Sequence, residues 1–119
     1  MPGTNANTNR RILRILLEIK NKVIDAEVKL LVNGKGDDAR KLADCIESLD
    51  EKIRELRGKI LDDWLAKVND MRVTLGAMNA EVQEAVDDIK DDIETTKRVV
   101  KLIGYVDKAV EMAAKALGG

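Results

Sequence analysis

Histidine and phenylalanine are absent from this chain, and cysteine, proline, tryptophan and tyrosine each occur once. Without histidine the protein has no Ser-His-Asp or Cys-His nucleophile, no histidine general base and no histidine-ligated zinc or di-iron site. Aromatic residues make up 2% of the chain, too few for the stacking platforms that bind single-stranded nucleic acid. The lone Cys45 cannot form an intramolecular disulfide, which fits a reducing compartment.

Long apolar runs are also missing. No run approaches the roughly 18–20 residues that a membrane span needs, and residues 1–9 are polar, unlike a signal peptide. We therefore expect a cytoplasmic protein. Its 119 residues suit one domain with a modest core, and we expect residues 1–8 to form a disordered arm that precedes a single helical-bundle domain over 9–119.

Charge is nearly balanced but unevenly distributed. The net charge of −1 gives no global attraction for nucleic acid or an anionic membrane. Residues 1–36 carry seven basic and three acidic side chains, whereas residues 64–94 carry three and eight. This asymmetry predicts pairing between antiparallel helices. The arginines Arg10, Arg11 and Arg14 would then lie beside the carboxylates of Asp62, Asp63, Asp91, Asp92 and Glu94.

Apolar spacing predicts a first helix and a turn after it. A seam with alternating steps of four and three residues runs through Ile12, Leu16, Ile19, Val23, Ala26 and Leu30. A second apolar row widens the apolar face, so this helix needs two neighbouring helices. The second row comprises Leu13, Leu17, Ile24, Val28 and Leu31. Residues 33–37 predict a tight turn in which Gly34 takes the left-handed conformation.

A second seam is much longer than one helix of a small protein. Unbroken, it would form a rod of about 117 Å over nearly 80 residues. We expect a reversal at Gly76, and thus an all-α antiparallel bundle of three long helices over about 9–33, 38–75 and 80–117. The alternative has four or five shorter helices with breaks at Gly58 and Gly104. The seam comprises Ala39, Leu42, Ile46, Leu49, Ile53, Leu56, Ile60, Trp64, Val68, Met71, Leu75, Met78, Val82, Ala85, Ile89, Ile93, Thr96, Val100 and Ile103.

The three-helix arrangement predicts an interface. Helices two and three would extend past helix one at the end that holds Gly76, and two helices alone do not bury so broad an apolar face. The simplest occupant is a second copy or a helical partner. The predicted interface residues are Trp64, Leu65, Val68, Met71, Leu75, Met78 and Val82.

An acidic cluster supports an alternative function. On a helix, Glu81, Glu84, Asp88 and Asp91 lie on one face and could hold Mg²⁺. All-α nucleotide pyrophosphohydrolases use such carboxylates, in the order ExxE and then ExxD. This chain has the ExxE pair at Glu81 and Glu84, but its ExxD pair, Glu47 and Asp50, comes earlier in the sequence. The order of the two pairs therefore does not match. A solvated acidic face partly neutralised by arginines is the simpler interpretation.

The remaining candidates favour structural roles. Cys45 has no histidine to activate it and lies beside a seam position. The amphipathic stretch 99–117 could lie on a membrane surface, but its polar face is only weakly basic, and a core-facing last helix fits better. We therefore expect a non-enzymatic interaction or scaffold protein that needs no cofactor and self-associates through helix packing.

Overall fold

The described part of the protein forms four helices. The computed structural model describes residues 2–58, 68–89 and 95–117, with side chains described over 9–58, 72–89 and 95–115. The helices are α1 (Pro2–Val32), α2 (Gly36–Gly58), α3 (Val68–Asp87) and α4 (Thr95–Leu117). No strand occurs in these ranges. The all-α prediction is confirmed.

The first turn forms as predicted. Gly34 has φ of 76°, a left-handed conformation that costs a glycine little. Around it the amide of Gly34 donates to the carbonyl of Leu31 at 3.2 Å, and that of Lys35 to the carbonyl of Leu30 at 2.8 Å. These two bonds form a Schellman motif, which satisfies the last carbonyls of α1 and reverses the chain. Asp37 and Asp38 then lie in the first turn of α2, where carboxylates stabilise a helix.

The three-helix prediction is not confirmed, and the four-helix alternative fits. Gly76 lies inside α3, so the predicted reversal there is wrong. Of the two alternative break points, Gly58 is the last described residue of α2, and Gly104 lies inside α4. The last reversal instead follows Asp87, in a stretch that contains neither glycine nor proline.

The N-terminal arm remains a prediction. The backbone of α1 begins at Pro2 and thus includes residues 2–8, for which we expected disorder. The first side chain described, Asn9, is buried.

The four helices occupy the corners of an elongated bundle of 50 × 22 × 18 Å. α1 packs against α2 and α3, and α4 packs against the same two helices. The Lys20 ammonium lies 2.9 Å from the Asp50 carboxylate, which together with the short turn makes α1 and α2 antiparallel. The Thr96 hydroxyl donates to the Asp38 carboxylate at 3.2 Å and joins the first turns of α2 and α4, which is the contact expected of parallel neighbours.

α1 and α3 are parallel, and one asparagine aligns them. The Asn79 side-chain amide accepts from Lys22 at 2.8 Å and donates to Glu18 at 2.9 Å. Further along both helices, Lys29 donates to the carbonyl of Val86 at 3.1 Å. Asn79 lies inside α3, where it sets the register between two helices.

The buried residues confirm the first predicted seam and contradict the end of the second one. All six residues of the α1 seam are fully buried. Beyond residue 94 the predicted phase is wrong, because Thr96 and Val100 are exposed and Ile103 is only partly buried. α4 restarts at Thr95 with a new phase, and its buried face comprises Val99, Leu102, Val106, Ala109 and Ala113.

Candidate functional site

Three of the seven predicted interface residues are buried in the core and do not lie on an exposed tip. Leu75, Met78 and Val82 are 0%, 4% and 0% exposed and pack in the core of a single chain. The reason is topological: α3 begins at Val68 beside the N-terminal half of α1, so α1 covers the face that a three-helix arrangement leaves open. Trp64 and Leu65 lie outside the described residues, and so do the side chains of Val68 and Met71.

An exposed apolar surface lies instead at the C-terminal end of α1. Val28, Leu31 and Val32 are 51%, 57% and 79% exposed. Their spacing of three and four residues places them on one side of the helix, facing away from α2 and α3. We call these three side chains the α1 apolar row. Val28 and Leu31 belong to the second predicted apolar row of this helix, which we expected a neighbouring helix to cover.

Three of the four acidic residues proposed for Mg²⁺ line a cleft of about 180 Å³ between α3 and α4. Glu81, Glu84 and Asp88 form one wall, and Arg98, Lys101 and Tyr105 form the other. Asp91 lies outside the described residues. Within the described part of the chain, no group of three carboxylates, cysteines or histidines is arranged to hold a metal ion.

The counter-charge for the acidic wall therefore comes from α4. We expected the arginines of residues 10–14 in this role, but α1 runs parallel to α3 and those arginines lie at the far end of the bundle. Arg98 and Lys101 instead supply two cations at the carboxylates, which lowers the electrostatic demand for a metal ion. Binding of Mg²⁺ at these carboxylates stays a prediction, and the nearby charges of Arg98 and Lys101 disfavour it.

Arginines line a second cleft, between α1 and α3. Arg11, Arg14 and Ile15 from α1 meet Arg72 and Gly76 from α3 around a volume of about 290 Å³. The carboxylates that we expected beside Arg11 and Arg14 lie outside the described residues. The two arginines of α1 are exposed and Arg72 is half-buried.

Cys45 is suited to packing more than to chemistry. It is free and half-buried, and it packs against the core. Burial raises the pKa of its thiol, and the carboxylates of Asp107 and Asp44 raise it further. Because the thiolate is the nucleophile, this environment makes Cys45 less reactive at neutral pH than an ordinary thiol.

The amphipathic C-terminal stretch faces the protein interior. Its apolar side is the buried face of α4, so it contributes to the core. Over the described helices, no segment combines the length and apolar character that crossing a bilayer requires.

Comparison with known proteins identifies no relative of this chain: no protein family, no curated protein and no solved structure matches it. The candidate functions below therefore depend on the chain's own residues.

Proposed function

We propose that this protein is a non-enzymatic helical-bundle interaction module that self-associates through the α1 apolar row. The observation that carries the proposal is the contiguity of Val28, Leu31 and Val32, each more than half exposed on one side of one helix. Among the described side chains, the other large exposed apolar ones, Val73 and Val100, lie on different helices from the row. Contiguous apolar side chains on a surface are typical of protein contacts, whereas scattered ones are ordinary.

A second copy is the simplest occupant of this surface. A two-fold axis perpendicular to α1 would lay the same three side chains of two copies against each other in antiparallel helices. The interface is then self-complementary and closed, and each copy buries its apolar row against an identical one. Cytoplasmic localisation belongs to the same proposal, because the free Cys45 suits a reducing compartment.

The area available predicts weak association. Three partly exposed side chains per copy supply far less than the roughly 800 Å² per partner of a standard interface. Burying them gives on the order of 1 kcal/mol each, from which the loss of translational and rotational freedom must be subtracted. We therefore expect a dissociation constant on the order of 100 µM or weaker.

The test is molar mass as a function of concentration. Sedimentation equilibrium from about 10 µM to about 1 mM should show the mass rising from 13.2 kDa toward twice that value. Amide NMR shifts that change on dilution should cluster at residues 28–32.

A matched pair of variants separates the apolar row from general surface polarity. Leu31→Gln should abolish the rise in mass, because it places an amide at the centre of the row. Val73→Gln changes a side chain of similar exposure, 63%, on α3 and should leave association unchanged. A mass that stays at 13.2 kDa over the whole range overturns self-association. Equal behaviour of the two variants contradicts the choice of surface.

A further inference from the structure

The arginine cleft between α1 and α3 has the composition of an anion site. We propose that Arg11, Arg14 and Arg72 bind a small polyphosphate group, such as pyrophosphate or the phosphate chain of a nucleotide. The cleft lies toward the end of α1 opposite the apolar row, so the proposal does not depend on self-association.

Charge is what distinguishes this cleft from the other contacts between helices. α1 meets α2 through the Lys20–Asp50 ion pair, and Asn79 of α3 bonds to both a lysine and a glutamate of α1. The cleft between α3 and α4 has acidic residues on one wall and basic residues on the other. Among the residues that the structure describes, the arginine cleft is lined by cations on both walls and by no carboxylate.

The three arginines are close enough for their charges to interact across the cleft. Three cations around one cleft repel each other, and a bound anion would remove that repulsion.

Guanidinium groups specify the chemistry of the ligand. Their planar pairs of N–H donors match phosphate oxygens in a bidentate geometry, which an ammonium cannot do. The cleft, of about 290 Å³, is open to the surface, and Gly76 has no side chain to close that part of the α3 wall. Three guanidinium groups carry three positive charges, so a chain of two or three phosphates matches their charge better than one phosphate does.

The experiment is a calorimetric and NMR titration of the full chain with sodium pyrophosphate and, separately, with a nucleoside triphosphate, both without metal and at constant ionic strength. Sodium chloride at equal ionic strength is the blank. We expect saturable binding with amide shifts at residues 11–15 and 72–76. Arg14→Gln and Arg72→Gln should each weaken it by about tenfold, whereas Arg40→Gln, on the exposed surface of α2, should not change it.

The arginine variants can also be tested without a ligand, by their melting temperatures. If the three arginines repel each other, Arg14→Gln should raise the melting temperature of the ligand-free protein while it weakens binding. Equal affinity for the two ligands assigns recognition to the phosphate chain alone, and tighter binding of the nucleotide places its nucleoside in contact as well. The absence of a response to either ligand beyond the sodium chloride blank overturns the proposal. Equal binding by the arginine-cleft variants and Arg40→Gln overturns it too.

Discussion

Two glycines of this chain differ in what their backbones require. Gly34 has a φ of 76° and forms the Schellman turn after α1, where a side chain strains the backbone. Gly104 lies in the interior of α4, is exposed, and has nothing within 4 Å of the position that a Cβ would occupy. The first is needed for the turn, and the second only weakens its helix.

Alanine substitutions should therefore have opposite effects at these two positions. Gly34→Ala should lower the free energy of unfolding by about 1–2 kcal/mol, because an L-residue is strained at positive φ. Gly104→Ala should raise it by about 0.5–1 kcal/mol, because alanine restricts the unfolded chain and favours the helix. Urea denaturation measures both. A stabilised Gly34→Ala would show that the turn does not need a left-handed residue.

Helix pairs in this protein are joined by a few polar contacts around an apolar core. Between α1 and α2, the Lys20 ammonium donates to Asp50, and Arg54 lies 3.2 Å from the other oxygen of the same carboxylate. The hydrogen bond from Lys20 lowers the pKa of Asp50, and the charges of Lys20, Arg54 and Arg57 lower it further. This makes the antiparallel pair sensitive to acid.

The direction of the pH effect follows from that pKa. Because Asp50 has a lower pKa in the folded state, its contribution to stability is present above the unfolded pKa of about 3.9 and is lost as pH falls through the folded pKa. Asp50→Asn should therefore melt at a lower temperature than wild type at pH 6, and the difference should vanish in acid.

Glu51→Gln, one residue further along α2 and exposed, is the matched control. It removes a carboxylate without removing the contact to Lys20. Its melting temperature relative to wild type should not show the same acid-dependent convergence. A constant difference for Asp50→Asn down to pH 2 would contradict the pairing.

At the scale of the whole molecule, the four helices share one core. Buried side chains from every helix form a single cluster, which includes Leu16, Leu49, Leu75 and Leu102. Because each helix contacts two neighbours along its length, we expect the bundle to unfold as one cooperative unit.

A substitution that creates a cavity beneath α4 tests whether the four helices unfold together. Leu102 is fully buried, so Leu102→Ala should cost about 2–5 kcal/mol of unfolding free energy. Val100→Ala, at a side chain that is 61% exposed on the same helix, should change it by less than about 0.5 kcal/mol. Hydrogen exchange should show lower protection in all four helices of Leu102→Ala. Loss confined to α4 would show that α1 and α2 fold separately from it.

The sequence alone determined the features that depend on local geometry. The period of apolar residues identified the buried face of α1, because a helix rotates by a constant angle per residue. The composition of residues 33–37 located the first turn, because only glycine adopts positive φ at low cost. The lack of histidine and the single cysteine limited the chemistry available to any site.

The tertiary structure decided where helices end without a local signal and which surfaces remain open. A continuous seam of apolar residues does not encode its own break, so the reversal after Asp87 and the new phase of α4 did not follow from spacing. The parallel alignment of α1 and α3 depends on contacts between residues far apart in sequence, such as Asn79 with Glu18 and Lys22. That alignment buries Leu75, Met78 and Val82, and it brings Arg72 to Arg11 and Arg14. The outward side of α1 keeps its apolar row exposed, because its two closest neighbours pack on other sides of that helix.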